Sequence, residues 1–116
     1  MSTGKKKRLS PGQLEAVSRL FAVLSEPSRL ALLQALYDGP LAVNELMEAC
    51  SMKQANVSKH LAVLHASHLV KRERRRNSIL YAIADPMIFS LCNLVCGKME
   101  KDAKRAVALF QPEAAK

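Results

Sequence analysis

Two short apolar repeats within residues 43–64 constrain the fold of this chain more than any other feature. The first repeat is VNELMEAC, in which apolar residues recur at the i, i+3, i+4, i+7 spacing of a short amphipathic helix: Val43, Leu46, Met47 and Cys50. In the second, QANVSKHLAVL, Val57, Leu61 and Leu64 share one face of a helix. Asn56 and Lys59 point away from that face. The pattern therefore predicts two helices joined by a break at residues 51–53.

Such a pair lets the first helix pack across the second while the start of the second helix exposes a polar side. This is the layout of a helix-turn-helix, whose second helix enters the major groove of DNA by its N-terminal residues. A helical hairpin with no nucleic-acid partner has the same local pattern. The flanking sequence has to distinguish the two.

The composition indicates one small domain with a basic surface. The 116 residues are 49% apolar but include only three Phe, two Tyr and no Trp, so the core is small and dimerisation is a common way to complete it. The net charge of +8 favours a polyanionic partner, although a merely solvated basic surface would have the same charge. The location of the cations therefore matters.

No targeting or membrane segment is recognisable. No apolar run approaches the roughly 20 residues that span a bilayer, and the basic run at residues 5–8 is not followed by an apolar stretch. Three cysteines without the spacing of a disulfide scaffold suit a reducing compartment. We therefore expect a cytoplasmic protein with no membrane association.

Two helices are predicted before the central pair. Residues 1–11 form a flexible basic arm that either contacts DNA phosphates or is only solvated. The first helix runs from about Gln13 to Leu24. The second begins at residues 25–27 and ends at residues 38–40, before an extended lead at residues 41–42. The predicted buried stripe of the second helix consists of Leu30, Leu33, Leu36 and Tyr37.

A basic hairpin follows the central pair. Residues 70–74 and 79–83 are predicted strands, and residues 75–78 are the turn, where Asn77 tolerates a positive φ. Five cations lie within six residues: Lys71, Arg72, Arg74, Arg75 and Arg76. Like charges this close repel one another, so a wing that contacts phosphates explains the cluster better than a solvated hairpin does.

The last predicted helix begins at Asp85 and Pro86 and continues to about Phe110, with residues 111–116 as a tail. One side of it carries Met87, Leu91 and Leu94, and another carries Ile88, Cys92, Val95, Cys96 and Met99. A helix that is apolar on two sides buries one against its own domain. A second copy of the chain is the simplest partner for the other side.

Taken in order, four stretches resemble the ArsR/SmtB family of bacterial winged-helix repressors over roughly residues 20–99: LSEPSRLALLQAL, VNELMEACSMKQANVSKHLAVLHASHLV, KRERRRNSILYAIADP and LCNLVCGKM. The resemblance implies a mainly α winged helix-turn-helix with a small β-hairpin over residues 12–110. It also implies a homodimer through the first and last helices that binds an imperfect palindromic operator in double-stranded DNA. Neither a nucleophile with its base nor a phosphate-binding loop is visible, so we expect no enzymatic activity.

The resemblance also assigns candidate DNA contacts. In the second helix of the motif these are Gln54, Asn56, Ser58, Lys59 and His60, and in the wing they are Arg74, Arg75 and Arg76. Two positions depart from the family pattern, because Ala42 and Lys53 replace the usual capping residues of the two motif helices. The absence of each capping side chain should lower the stability of the helix that it would cap by about 1 kcal/mol.

The family places inducer sites at several locations, and most are missing from this chain. The first motif helix has no Cys-x-Cys pair, the second helix of the chain carries Gln34 where sulfide-responsive members have a cysteine, and of the zinc ligands on the last helix only Asp85 is present. Cys92 and Cys96 remain as the candidate site. Many family members release DNA when an inducer binds, so these thiols are candidate inducer ligands.

At i, i+4 the two thiols face the same way with Cβ atoms about 5–6 Å apart. That separation exceeds the roughly 3.5–4.5 Å of an unstrained disulfide. It allows both sulfurs to bind one soft ion at about 2.3 Å, such as As(III), Sb(III), Cd or Pb, with a third thiolate from a partner subunit.

Other roles of the cysteines and other functions of the chain fit the same sequence. Both cysteines also fit a packing stripe, and an oxidant or persulfide is another candidate signal. Cys50 is predicted to be core and is a further candidate ligand, whereas His65 and His68 are predicted to be structural or surface residues. The rivals to an inducible repressor are a repressor of the same fold without a thiol sensor and a non-specific architectural nucleic-acid-binding protein.

Overall fold

The computed structural model describes residues 8–110, so residues 1–7 of the predicted arm and the predicted tail at 111–116 lie outside the described residues. The chain divides into two units, of which the first ends at Ala84 and the second begins at Asp85. The elements, in chain order, are α1 (Pro11–Leu24), α2 (Pro27–Ala35), β1 (Leu41–Ala42), α3 (Val43–Cys50), α4 (Gln54–Ala66), β2 (Val70–Arg75), β3 (Ser78–Ile83) and α5 (Met87–Phe110). This order confirms the predicted mainly α winged helix-turn-helix.

The first helix begins at Pro11, two residues earlier than predicted. Ser10 Oγ accepts a hydrogen bond from the Gln13 N–H at 3.2 Å, and Gln13 Oε1 accepts one from the Ser10 N–H at 2.9 Å. This reciprocal pair satisfies two backbone donors that have no partner within the helix. Because Pro11 has no N–H, it fits the first helical position without loss.

A three-stranded antiparallel sheet in the order β1-β3-β2 carries the wing. The predicted extended lead is a strand, since Leu41 pairs with Tyr81. The hairpin register runs to Arg75 opposite Ser78, so only two residues connect the strands. Positive φ falls on Arg76, at 56°, rather than on Asn77, the turn residue that tolerates it more readily. A two-residue connection can require a left-handed backbone at its first residue, whichever side chain stands there.

Leucines from three helices form the core of the first unit. In this unit, the residues with at most 2% exposure are Leu32, Leu33, Leu36, Leu46, Val57, Leu61, Leu64, Leu69 and Val70. The predicted stripe of α2 was wrong at two positions, because Leu30 is 42% exposed and Tyr37 is 37% exposed. Since α2 contacts both α3 and α4, it buries the adjacent leucines Leu32 and Leu33 and turns Leu30 outward.

The predicted break between the motif helices is confirmed, and Ser51 ends α3 in the left-handed conformation with φ at 53°. Neither motif helix has a side-chain cap at its start. Ala42 offers no acceptor, although Glu45 Oε1 accepts a hydrogen bond from the Ala42 N–H at 2.8 Å. Lys53 precedes α4 and makes no capping hydrogen bond, so the first turn of α4 lacks a side-chain acceptor.

We therefore expect Lys53→Ser to raise the free energy of unfolding by about 1 kcal/mol, since a serine hydroxyl would accept a backbone N–H of the first turn. Urea denaturation of the variant and of the native chain measures the difference. Lys59→Ser is the matched control, because it makes the same side-chain change inside α4, where no cap forms. A gain no larger than that of the control would show that capping does not limit the stability of α4.

The second unit is the helix α5. Asp85 Oδ1 accepts a hydrogen bond from the Met87 N–H at 3.0 Å, which confirms the predicted capping role of Asp85. The helix continues through Gly97 and exposes large apolar side chains along its length: Leu94, Val95, Met99, Val107, Leu109 and Phe110. Among the described residues, no helix combines the length and apolarity needed to cross a membrane.

Candidate nucleic-acid interface

Helix α4 presents a polar surface because its apolar residues are turned into the core. Val57, Leu61 and Leu64 are at most 1% exposed. The remaining positions of the first two turns point outward, and four predicted DNA contacts are exposed there: Gln54, Asn56, Ser58 and Lys59. These side chains offer amide, hydroxyl and ammonium groups, which suit base edges and phosphates.

His60 is the exception, and the prediction that it faces DNA is wrong. Its side chain is buried at 6% exposure, because position 60 lies on the same side of α4 as Val57 and Leu61. Arg29 of α2 donates a hydrogen bond from Nη1 to His60 Nδ1 at 3.2 Å and another from Nε to the Val23 carbonyl at 2.7 Å. Since a guanidinium only donates, Nδ1 of the imidazole accepts. His60 therefore links α4 to α2.

The start of α4 and the tip of the wing lie beside the same shallow groove. Gln54 lines it from α4, Asn77 and Ser78 line it from the wing, and Met47 lines it from α3. The groove has a volume of about 410 Å³. The fold thus brings together the start of α4 and the tip of the wing, two segments far apart in the chain.

The pleat of β2 sorts the wing cations onto two faces. Successive side chains of a strand point to opposite faces, so Arg72 and Arg74 share one face and Lys71, Glu73 and Arg75 share the other. Glu73 lies 3.8 Å from Lys71 Nζ and 3.3 Å from Arg75 Nη2.

Arg72, Arg74 and Arg76 are exposed, and within residues 8–110 no carboxylate lies within 4 Å of them. Arg72 is thus a further exposed cation on the face of β2 that carries Arg74.

The three cysteines occupy different environments. Cys50 is partly buried, its Sγ donates to the Ala31 carbonyl oxygen at 3.5 Å, and burial raises the pKa of its thiol. Cys92 is half-buried and Cys96 is exposed, one turn apart on α5. In the described part of the chain, no group of three or more Cys, His, Asp and Glu side chains could hold a metal ion. One protomer therefore offers a pair of thiols at α5.

The two other histidines carry no such links. His65 is exposed in the last turn of α4. His68 is exposed two residues after the end of that helix and has a left-handed φ of 63°. Both are surface residues, as predicted.

Comparison with known proteins finds matches across these elements. A protein family described as a helix-turn-helix domain matches residues 24–73. A curated relative, the transcriptional repressor SmtB homolog of Synechocystis sp., is 30% identical over 93 residues, which cover 80% of this chain and 70% of the relative. The chain spans 70%, 62% and 53% of the lengths of three curated relatives that it matches.

Solved structures share the architecture. The AntR antimony-specific transcriptional repressor superposes with a TM-score of 0.75 at 31% identity, covering 89% of this chain and 94% of that one. A homodimeric winged helix-turn-helix DNA-binding domain from Mycobacterium bovis gives a TM-score of 0.75 at 25% identity, covering 90% and 95%.

Proposed function

Because this chain belongs to the ArsR/SmtB family of winged helix-turn-helix transcriptional repressors, we propose that it binds an imperfect palindromic operator in double-stranded DNA as a homodimer. We propose further that a thiophilic inducer, held at Cys92 and Cys96, releases it from that DNA. The proteins that it resembles are DNA-binding regulators and not enzymes. The groove shared by Gln54 and the wing tip is the observation that carries the DNA-binding part.

At the DNA, each exposed group has a distinct use. Gln54 and Asn56 suit adenine edges in the major groove, whereas Ser58 and Lys59 suit phosphate or guanine. The wing cations suit phosphates, which set affinity and register but read no sequence. Sequence specificity would therefore come from α4, and most of the salt dependence from the wing.

The proposed dimer is supported by exposed apolar surface on two helices. In α1, Leu14 and Phe21 are more than half exposed, and in α5 six large apolar side chains are also more than half exposed. Surfaces of this kind are covered in solution by a partner, and a second copy is the simplest one. Two recognition helices must reach half-sites about 34 Å apart, so an inducer that rearranges the subunits would weaken binding to DNA.

The proposed inducer site rests on the chemistry of the cysteines. Two thiols one turn apart suit a soft metal or metalloid such as As(III), Sb(III), Cd or Pb, and a third thiolate from the partner subunit would complete the site. The relative AntR is described as antimony-specific, which favours a metalloid. Cys50 is a poor ligand, because its raised pKa and its hydrogen bond to Ala31 favour the protonated thiol.

The test is fluorescence anisotropy of the reduced protein on labelled DNA from upstream of its own gene. Arsenite, antimonite, cadmium, lead and a persulfide donor are added in separate titrations. We expect tight binding that competing scrambled DNA does not displace, and release by a soft metal or metalloid. Release should be lost in the double variant Cys92→Ser with Cys96→Ser and kept in the matched control Cys50→Ser.

Other outcomes identify the rivals. Equal affinity for scrambled DNA would contradict operator recognition and indicate an architectural protein. Release by the persulfide donor alone would indicate that the inducer is a redox signal and not a metal or metalloid. Specific binding that no reagent disturbs would favour a repressor without a thiol sensor. That second candidate is supported by the half-burial of Cys92 on an apolar stripe, where cysteine behaves as a small apolar residue.

A further inference from the structure

We propose that Glu73 acts as an internal counterion of the wing: it holds Lys71 and Arg75 in competition with DNA and leaves the phosphate contacts to Arg72, Arg74 and Arg76. The proposal rests on the proposed function, since it concerns how the wing meets DNA. Its consequence is a lower affinity for DNA of any sequence.

The geometry places the three groups on one face of an edge strand. Lys71, Glu73 and Arg75 alternate along β2, which pairs only with β3 in the described sheet. Glu73 Oε2 lies 3.8 Å from Lys71 Nζ, and Arg75 Nη2 donates a hydrogen bond to Glu73 Oε1 at 3.3 Å. Each oxygen of one carboxylate therefore faces a different cation.

The sequence of the hairpin makes this carboxylate unusual. Residues 70–83 contain five cations, and Glu73 is the only acidic residue among them. It stands between the two cations of its own face, whereas Arg72 and Arg74 have no acidic residue on their own face of β2. Exposed ion pairs of this kind add little to folding stability, so stability does not account for the arrangement.

The effect on DNA binding follows from counterion release. Each phosphate that a protein cation neutralises releases condensed counterions and steepens the dependence of affinity on salt. A cation that is already paired with a carboxylate must give up that pair to bind phosphate, so its net gain is smaller. Because phosphate contacts form with DNA of any sequence, weakening two of them lowers the affinity for operator and for random DNA alike.

The test measures dissociation constants of the native chain and of Glu73→Gln for operator and scrambled DNA over a series of salt concentrations. Glutamine keeps the shape of the side chain and removes its charge. We expect both DNAs to bind roughly 3–10-fold more tightly at low salt. The dependence of log affinity on log salt concentration should steepen by about 0.9 for each cation that Glu73 no longer holds, and therefore by at most about 1.8 for Lys71 and Arg75 together. The ratio of operator to scrambled affinity should stay about the same, because the wing contacts phosphates in both DNAs.

A coupling experiment separates this mechanism from a general gain of charge. The loss of affinity on Arg75→Ala should be larger in the Glu73→Gln background than in the native chain, because Arg75 then competes with no carboxylate. Arg74→Ala is the matched control, and its loss should be the same in both backgrounds. Equal losses for Arg75→Ala in both backgrounds would overturn the proposal.

The outcomes also separate this inference from the proposed function. If the native chain binds no DNA, the proposed function fails. If the native chain binds its operator and Glu73→Gln has the same salt slope, only the counterion role fails. Should Glu73→Gln fold poorly, Glu73→Thr also removes the charge, fits a strand and carries the same expected outcomes.

Discussion

Replacing Arg72, Arg74 and Arg76 together with alanine should weaken operator binding on the order of 100-fold at about 0.15 M salt, and lower the salt slope by nearly three. These side chains are exposed on the wing, and no described carboxylate lies within 4 Å of them. Each therefore neutralises a phosphate at little cost, and each contact contributes about 0.9 to the slope. Anisotropy titrations of operator DNA over a range of salt concentrations measure both quantities.

A control of equal charge tests whether position matters. Lys101, Lys104 and Arg105 are exposed on α5, and replacing them with alanine also removes three positive charges. We expect a change of less than about 3-fold, because charges that make no phosphate contact act only through the screened long-range field. Equal losses in the two triple variants would mean that DNA binding follows net charge, which contradicts a wing that contacts phosphates.

Leu64→Ala should lower the free energy of unfolding by about 2–5 kcal/mol. Leu64 has no exposed surface, and α4 packs by this face against α2, α3 and β2. The substitution removes apolar contacts and leaves a cavity that helices held on several sides cannot close. Urea denaturation followed by circular dichroism measures the loss, and the melting temperature should fall by on the order of 10 °C or more.

Leu30→Ala is the matched control, because the same substitution falls on a leucine of α2 that is 42% exposed. It should cost less than about 1.5 kcal/mol, since less apolar area is lost and solvent fills the space. A Leu64→Ala variant no less stable than Leu30→Ala would contradict a core centred on α4. Leu30→Ala also tests the corrected stripe of α2, which places Leu30 outside the core.

Local patterns were sufficient for most of the architecture. The buried face of α4 and the break at residues 51–53 followed from apolar spacing within one or two turns. The wing followed from strands that pair across a two-residue connection, and Asp85 was recognisable as the residue that caps α5. Each of these features depends on residues close together in the chain, so the periodicity and turn chemistry of a short segment are enough to predict it.

Features that depend on residues far apart in the chain were predicted incorrectly or not at all. Lys59 and His60 are neighbours on α4, yet His60 lies at the margin of the buried face and makes a hydrogen bond with Arg29, 31 residues earlier in the chain. Leu30 is exposed and Leu32 buried because α3 and α4 both cross α2.

The helix-turn-helix and its basic wing are thus determined by the spacing of residues that lie close together in the chain. The choice of which edge residues face DNA and which enter the core arises when helices from distant parts of the chain pack together, because burial at the margin of a helix face depends on the neighbour that covers it.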